Sequence, residues 1–247
     1  MSEPIRIAMW SGPRNISTAM MRAFENRVDT AVIDEPFYAC FLSITGRTDH
    51  PHRDEVLKAL PTDWNDVVKL LLGPVPGGKG IFYQKQMLHH MVEPIGFDWI
   101  KHCRNAFLIR DPEEVVASYY EKIEGMTLPD IGIVRQVELF DLESQRLGKP
   151  PPVIESSDVQ ENPRAALTAL CGALGIPFSE KMLHWPAGRR ASDGVWAPYW
   201  YANVERSTGF APPPEKKRVT LSDPLRKIAD EARPYYERLA AHKLRPA

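Results

Sequence analysis

Residues 5–24, Ile5-Arg6-Ile7-Ala8-Met9-Trp10-Ser11-Gly12-Pro13-Arg14-Asn15-Ile16-Ser17-Thr18-Ala19-Met20-Met21-Arg22-Ala23-Phe24, decide how the chain is read. Ile5, Ile7, Ala8, Met9 and Trp10 make a short apolar run that Gly12 and Pro13 end, the pattern of a strand buried on both faces. Ile16, Ala19, Met20, Ala23 and Phe24 then recur at helical spacing. A strand feeding a glycine-containing turn and a helix N-terminus aims unpaired backbone N–H groups and the positive end of the helix dipole at one spot, which suits an anion. Arg14 adds a forked cation there, and Ser17 and Thr18 add hydroxyl donors.

Downstream, Thr30 to Ile33 reads as a second strand, with Asp34 and Glu35 at its carboxyl end, where ligands bind in open α/β sheets. Glu35 can therefore face the cavity of Arg14; its other reading is a solvated loop acid. Asp54 to Leu60 and Thr62 to Leu72 are expected to be helices covering the sheet. Ile81 to Lys85 reads as a strand ending on a charge, followed by His89 and His90 in a short helix. Adjacent helical residues point about 100° apart, so that pair is a poor chelate, and no metal site is expected. Ala106 to Ile109 is the clearest strand; Arg110 follows it, Asp111 is the expected N-cap, Pro112 suits the first helical position, and Glu114 has capping-box spacing. Ser118 lies two turns into that helix. Its plainer reading is a serine bonded to its own backbone, with Arg110 paired to Asp111 or Glu114.

Gly132 to Leu147 has helical spacing, Val153-Ile154 reads as a further strand, and Asn162-Pro163 opens a helix that Gly175 and Pro177 close. Strands alternating with helices predict a doubly wound α/β fold: a mostly parallel sheet with helices on both faces, a P-loop-like three-layer sandwich. From Trp185 periodicity fails. The aromatic region at about 185–214, with Trp185, Trp196, Tyr199, Trp200, Tyr201 and Phe210, is expected either to cover a binding cleft or to pack on the sheet edge. Lys216-Lys217-Arg218 reads as a solvated charge run, and Asp223-Pro224 opens a last helix running to about 243. No repeat or long linker divides residues 1–247, so one domain is expected.

Composition narrows the partners. With 31 Lys and Arg against 32 Asp and Glu, the net charge of −1 gives no basic field for nucleic acid. Three separated cysteines, Cys40, Cys103 and Cys171, fit reduced thiols rather than a disulfide framework. No run reaches membrane-spanning length and the first strand leaves no room for a signal segment, which predicts a cytoplasmic protein with no membrane partner.

The opening turn resembles a P-loop, yet Asn15-Ile16 stand where a nucleoside triphosphatase has Gly-Lys, and no apolar strand ends in a Mg²⁺-binding Asp. A kinase-like phosphotransferase is therefore disfavoured. Pro13-Arg14-Asn15-Ile16-Ser17-Thr18 after the first strand, followed by Arg110, Asp111-Pro112 and Ser118, resembles the nucleotide-dependent sulfotransferase family. The resemblance is carried by the first half of the chain and implies 3′-phosphoadenosine 5′-phosphosulfate (PAPS) as sulfuryl donor, with no metal. It implies that Gly12 to Thr18, with Arg14, Ser17 and Thr18 foremost, hold the 5′-phosphosulfate, and that Arg110 and Ser118 hold the 3′-phosphate. Ile16 replaces the family's usual Gly. Lys85 resembles the lysine near the bridging oxygen, and Met87 stands where some members carry a His. Glu35 matches the base of bacterial-type members, with His89 or His90 in reserve. The implied reaction is sulfuryl transfer to a hydroxyl or amine of a small molecule. The alternative is a non-catalytic nucleotide-binding protein on the same scaffold.

Overall fold

The computed structural model describes residues 3–123, 125–213 and 220–245. In chain order the elements are β1 (Ile5–Ser11), α1 (Ser17–Glu25), β2 (Thr30–Asp34), α2 (Tyr38–Thr45), α3 (Arg53–Ala59), α4 (Trp64–Leu72), β3 (Ile81–Met87) and β4 (Arg104–Ile109). They continue with α5 (Pro112–Tyr120), α6 (Ile133–Leu147), β5 (Val153–Glu155), α7 (Ser156–Glu161), α8 (Pro163–Ala173), α9 (Ala197–Trp200), α10 (Ala202–Arg206) and α11 (Asp223–Ala240).

The five strands form one parallel sheet in the order β2-β3-β1-β4-β5. Side chains alternate across each strand, and both sets are apolar, as a sheet covered on both sides requires. Ile7 and Met9 of β1, with Ala106 and Leu108 of β4, pack against Met20, Phe24, Leu167 and Leu170 from α1 and α8. Ala8, Trp10, Phe107 and Ile109 point the other way, onto Leu71, Val116, Val137, Phe140 and Leu239 from α4, α5, α6 and α11. The expected doubly wound three-layer fold is the observed one. All strand carboxyl ends reach one edge, which therefore brings the tails of β2, β3, β1 and β4 side by side.

Several boundaries move. Lys85 does not end its strand, since β3 runs on to Met87 and buries the lysine. His89 and His90 sit in a single 3₁₀ turn, Leu88–His90. The last helix stops at Ala240, short of 243. Two short helices, α9 and α10, interrupt the aromatic region. Pro214 and Lys216 to Arg218 lie outside the described residues. Among the described residues no helix is long and apolar enough to cross a membrane.

β5 ends on a buried acid, Glu155, whose Oε2 accepts the Tyr236 hydroxyl at 2.8 Å. Burial pushes this carboxyl up to about 7, against the opposing pull of the Tyr236 bond and Lys243. A carboxyl raised in the fold supports folding only while protonated: its contribution is whole below the unfolded value near 4.5 and is lost as pH rises towards 7. Glu155→Gln, neutral at every pH, is accordingly expected to stabilise the protein by about 2–3 kcal/mol at pH 8. That gain should be small at pH 5, as read from urea midpoints at the two pH values.

Candidate functional site

The turn after β1 is held open by its neighbours. A Cβ on Gly12 would lie 2.4 Å from the Ile131 carbonyl oxygen, so only glycine fits, and Gly12 backs the loop rather than lining the cavity. Arg14 and Ile16 both take left-handed backbone, with φ of 62° and 54°. For a β-branched residue this is costly, and a glycine would adopt the same backbone without strain. Asn15 ties the loop down: its side chain donates to the Leu108 carbonyl at 3.2 Å, and its own carbonyl accepts from Ser156 at 3.3 Å.

No side chain caps α1. Among the described residues, the N–H groups of Asn15, Ile16, Ser17 and Thr18 have no protein acceptor. Unpaired N–H groups at a helix start are a geometry suited to an anion.

The β4–α5 junction closes on this loop. Arg14 Nε donates to Ser118 Oγ at 2.9 Å, and Arg110 Nη1 donates to the Arg14 carbonyl at 2.7 Å. Ser118 thus serves the loop rather than its own helix backbone. Asp111 caps α5 as expected, accepting from Glu113 N at 2.9 Å, but Glu114 completes no capping box; it accepts Arg110 Nε at 2.9 Å instead. Burial and then the adjacent Arg110 charge lower the pKa of Arg14. Two crowded guanidiniums are a strained arrangement that a bound polyanion relieves.

On the β2 and β3 side the sequence-predicted Glu35 and Lys85 meet in an ion network. Lys85 Nζ lies 2.9 Å from Asp34, 2.7 Å from Glu35 Oε1, 2.7 Å from the Tyr201 hydroxyl and 3.1 Å from Thr18 Oγ1. Burial opposes its charge, but Asp34 and Glu35 prevail and hold its pKa well above the usual lysine value. Lys85 is therefore held in a doubly paired ion network. Burial raises the pKa of Glu35, with Lys85 pulling the other way. Lys85 holds Glu35 through Oε1, and the Tyr201 hydroxyl also favours the carboxylate.

The aromatic segment both packs and covers. Trp185 and Trp196 are buried, whereas Trp200, Tyr201 and Phe210 line the cavity. Three buried contacts fasten it: Arg22 to Asp193 at 2.7 Å, Gly194 N to Asp34 at 3.2 Å, and the Tyr201 hydroxyl to Asp34 at 2.6 Å.

These pieces enclose a cavity of about 400 Å³. It is lined by Pro13 to Thr18, Glu35, Lys85, His89, His90, Arg110 and Ser118, so of the candidate residues only Gly12 stands behind the wall. Tyr38, His50 and Tyr119 also line it without any signal in the sequence, and Tyr201 lines it from the aromatic region expected to cover a cleft. The tail of β2 lies three strand steps from that of β4, about 14 Å at the usual spacing. The Arg14–Arg110–Ser118 grip and the Glu35 carboxylate therefore occupy different ends of one cleft. His89 and His90 sit at the Glu35 end as neutral imidazoles, burial lowering His89 to about 3 and His90 well below its ordinary value.

Residues 5–243 match the sulfotransferase domain family. Two curated Arabidopsis thaliana proteins are similar. Branched-chain-amino-acid aminotransferase-like protein 1 is 36% identical over 245 residues, covering 98% of this chain and 43% of the relative. Protein 2 of that name is 35% identical over 237 residues, covering 96% and 41%. The chain thus spans about two fifths of the length of these relatives. Among solved structures, the sulfotransferase domain of the Synechococcus PCC 7002 olefin synthase shares the fold, with TM-score 0.53, 15% identity, and 94% of this chain and 95% of that one covered. So does the sulfotransferase domain from the curacin biosynthetic pathway, with TM-score 0.53, 15% identity and coverages of 99% and 100%. On the family match across nearly its whole length, and with a fold that agrees, this chain belongs to the sulfotransferase domain family.

Proposed function

We propose that this chain is a PAPS-dependent sulfotransferase acting on a hydroxyl or amine of a small molecule. The observation that carries the reading is one cleft that brings together Arg14, the uncapped start of α1, Arg110 and Ser118 at one end and Glu35 beside Lys85 at the other. PAPS would supply the sulfuryl group, with its sulfur–oxygen bond to phosphate broken as the bond to the acceptor oxygen or nitrogen forms. Arg14 and the N–H groups of Asn15 to Thr18 would hold the 5′ end, and Arg110 and Ser118 the 3′-phosphate. Glu35 Oε2 takes the acceptor's proton. The raised pKa makes Glu35 the stronger base, whereas a histidine held near 3 accepts a proton poorly at neutral pH. Lys85 fixes the Glu35 carboxylate, and Arg14 with the start of α1 would bring positive charge to the transferring group; such electrostatic positioning dominates transfers of this kind.

The first test is binding of adenosine 3′,5′-bisphosphate against ATP with Mg²⁺. A preference for ATP would sink the reading in favour of a kinase-like enzyme, and bisphosphate binding without transfer to any acceptor would mark a nucleotide-binding protein. Arg110→Ala and Ser118→Ala are expected to weaken bisphosphate binding by about 100-fold and about 10-fold respectively, since a charge-assisted contact outweighs a neutral one. Calorimetric titration reads both, and parental affinity in both variants removes the 3′-phosphate assignment.

A further inference from the structure

Tyr201 sits at the junction of α9 and α10, where its N–H donates to the Ala197 carbonyl at 2.8 Å and its own carbonyl accepts the Glu205 N–H at 2.8 Å. The residue is buried, and its hydroxyl meets three groups: Trp196 Nε1 at 3.1 Å, Lys85 Nζ at 2.7 Å and Asp34 Oδ2 at 2.6 Å. An indole N–H and an ammonium can only donate, and a phenol has one proton and two lone pairs. The phenol proton therefore lies on the bond to Asp34, and both lone pairs are taken. Such a saturated hydroxyl has nothing left for a ligand; what it fixes is the ion network around it.

Within that network Asp34 and Glu35 compete for one cation. Lys85 Nζ has three protons for four oxygen neighbours: Asp34 Oδ1, Glu35 Oε1, the Tyr201 hydroxyl and Thr18 Oγ1. Glu35 takes left-handed backbone with φ of 40°, and its N–H donates to the Lys85 carbonyl at 3.1 Å, so the lysine holds it by main chain and side chain together. By donating to Asp34, Tyr201 answers part of that carboxylate's charge and leaves more of Lys85 to Glu35. Without the phenol oxygen, Asp34 Oδ2 keeps only the Gly194 N–H at 3.2 Å, and the lysine is drawn towards Asp34. The groups facing this network from other elements keep one charge state around neutral pH. Burial lowers His89 to about 3 and takes His90 well below its ordinary value, burial raises Tyr38 and Tyr119, and the bond to Asp193 outweighs burial to raise Arg22.

We propose that Tyr201 is a positioning residue for the proton acceptor: through its hydroxyl it holds Asp34, so that Lys85 stays shared with Glu35 and the Glu35 carboxylate remains ionised and in place. Its meaning for transfer rests on the sulfotransferase reading, whereas the coupling among the side chains is measured without nucleotide. Ligand-free protein, isotopically labelled at the glutamate carboxyl carbons, is titrated by NMR from about pH 4 to about pH 9, and the Glu35 signal is the one missing from Glu35→Gln. Tyr201→Phe should raise the Glu35 midpoint by about 0.5 or more on the pH scale, a gain of about three-fold or more in proton affinity. Asp34→Asn removes the neighbouring negative charge and should lower the midpoint. On the Asp34→Asn background, Tyr201→Phe should move it by less than about half as much, because the route through Asp34 is gone.

Trp196→Phe separates positioning from packing. It removes a buried ring of the same segment but leaves the Tyr201 bond to Asp34, so it should lower the melting temperature while the Glu35 midpoint stays within about 0.2 of the parent. An unchanged or lowered midpoint in Tyr201→Phe, a raised one in Asp34→Asn, the full rise retained on the Asp34→Asn background, or an equal rise in Trp196→Phe overturns the proposal and leaves the sulfotransferase reading intact. Failure of the parent to bind adenosine 3′,5′-bisphosphate overturns that reading, and with it the role of Glu35 as proton acceptor, whatever the midpoints.

Discussion

Lys85→Met is expected to lose about 3–5 kcal/mol of stability and, under conditions where it folds, to lower kcat by about 100- to 1,000-fold. The two losses have one cause. Lys85 is the buried cation between Asp34, itself buried, and Glu35, which lines the cavity, so its removal strands one carboxylate inside the fold and a second at the cavity wall. Each then relieves itself by binding a proton, with its folded pKa rising above the unfolded value. The sign follows: the variant's deficit should be greatest at high pH and shrink as pH falls, because protonation removes the stranded charge. Urea unfolding at pH 8 and pH 5 checks this. Adding Asp34→Asn to Lys85→Met should restore part of the stability but none of the activity. A deficit independent of pH would mean that Lys85 supports the fold by packing alone.

Glu35→Gln should keep bisphosphate affinity and lower turnover by about 100- to 10,000-fold once an acceptor is in hand. Glutamine has the shape of the glutamate and still accepts from Lys85, so the cleft persists while the proton acceptor goes. The parent should show an acid limb in kcat/KM: rate is lost as pH drops through the pKa of Glu35, which burial sets above the ordinary 4.5. In the variant that limb should vanish. Retained turnover with the limb intact would move the base to another group, and the histidines are readily distinguished because burial drives them the opposite way, to about 3 for His89.

The sheet and its nucleotide end were legible because both depend on short stretches of chain. Strands covered on both faces appear as unbroken apolar runs, and the turn Pro13 to Thr18 brings its cavity-lining residues together within a few positions. Arg110 and Ser118 share one strand–helix junction, so their spacing survives folding. The acceptor end is different. Asp34 and Lys85 are register partners on β2 and β3. Nothing in the sequence says that those two strands are neighbours, so the double pairing of the lysine is invisible there. His50, Tyr38 and Tyr201 come from an interhelical connection, the start of a short helix and the aromatic segment, none of which has a period that fixes direction. The Ile16 departure could be seen in the sequence, but its left-handed backbone, the physical reason glycine serves there, could not.

The fastening of the aromatic segment divides the cleft into two parts with unequal freedom to change in descent. The donor end is made from strand tails and a helix start, where almost any alteration disturbs the sheet itself. The opposite wall is irregular chain between Trp185 and Phe210, held by Asp193, Gly194 and Tyr201. Between those fixed points the segment can lengthen, shorten or exchange side chains without moving a strand. On the proposed reading, substitutions among residues 202–210 should change acceptor range while leaving bisphosphate affinity unaltered.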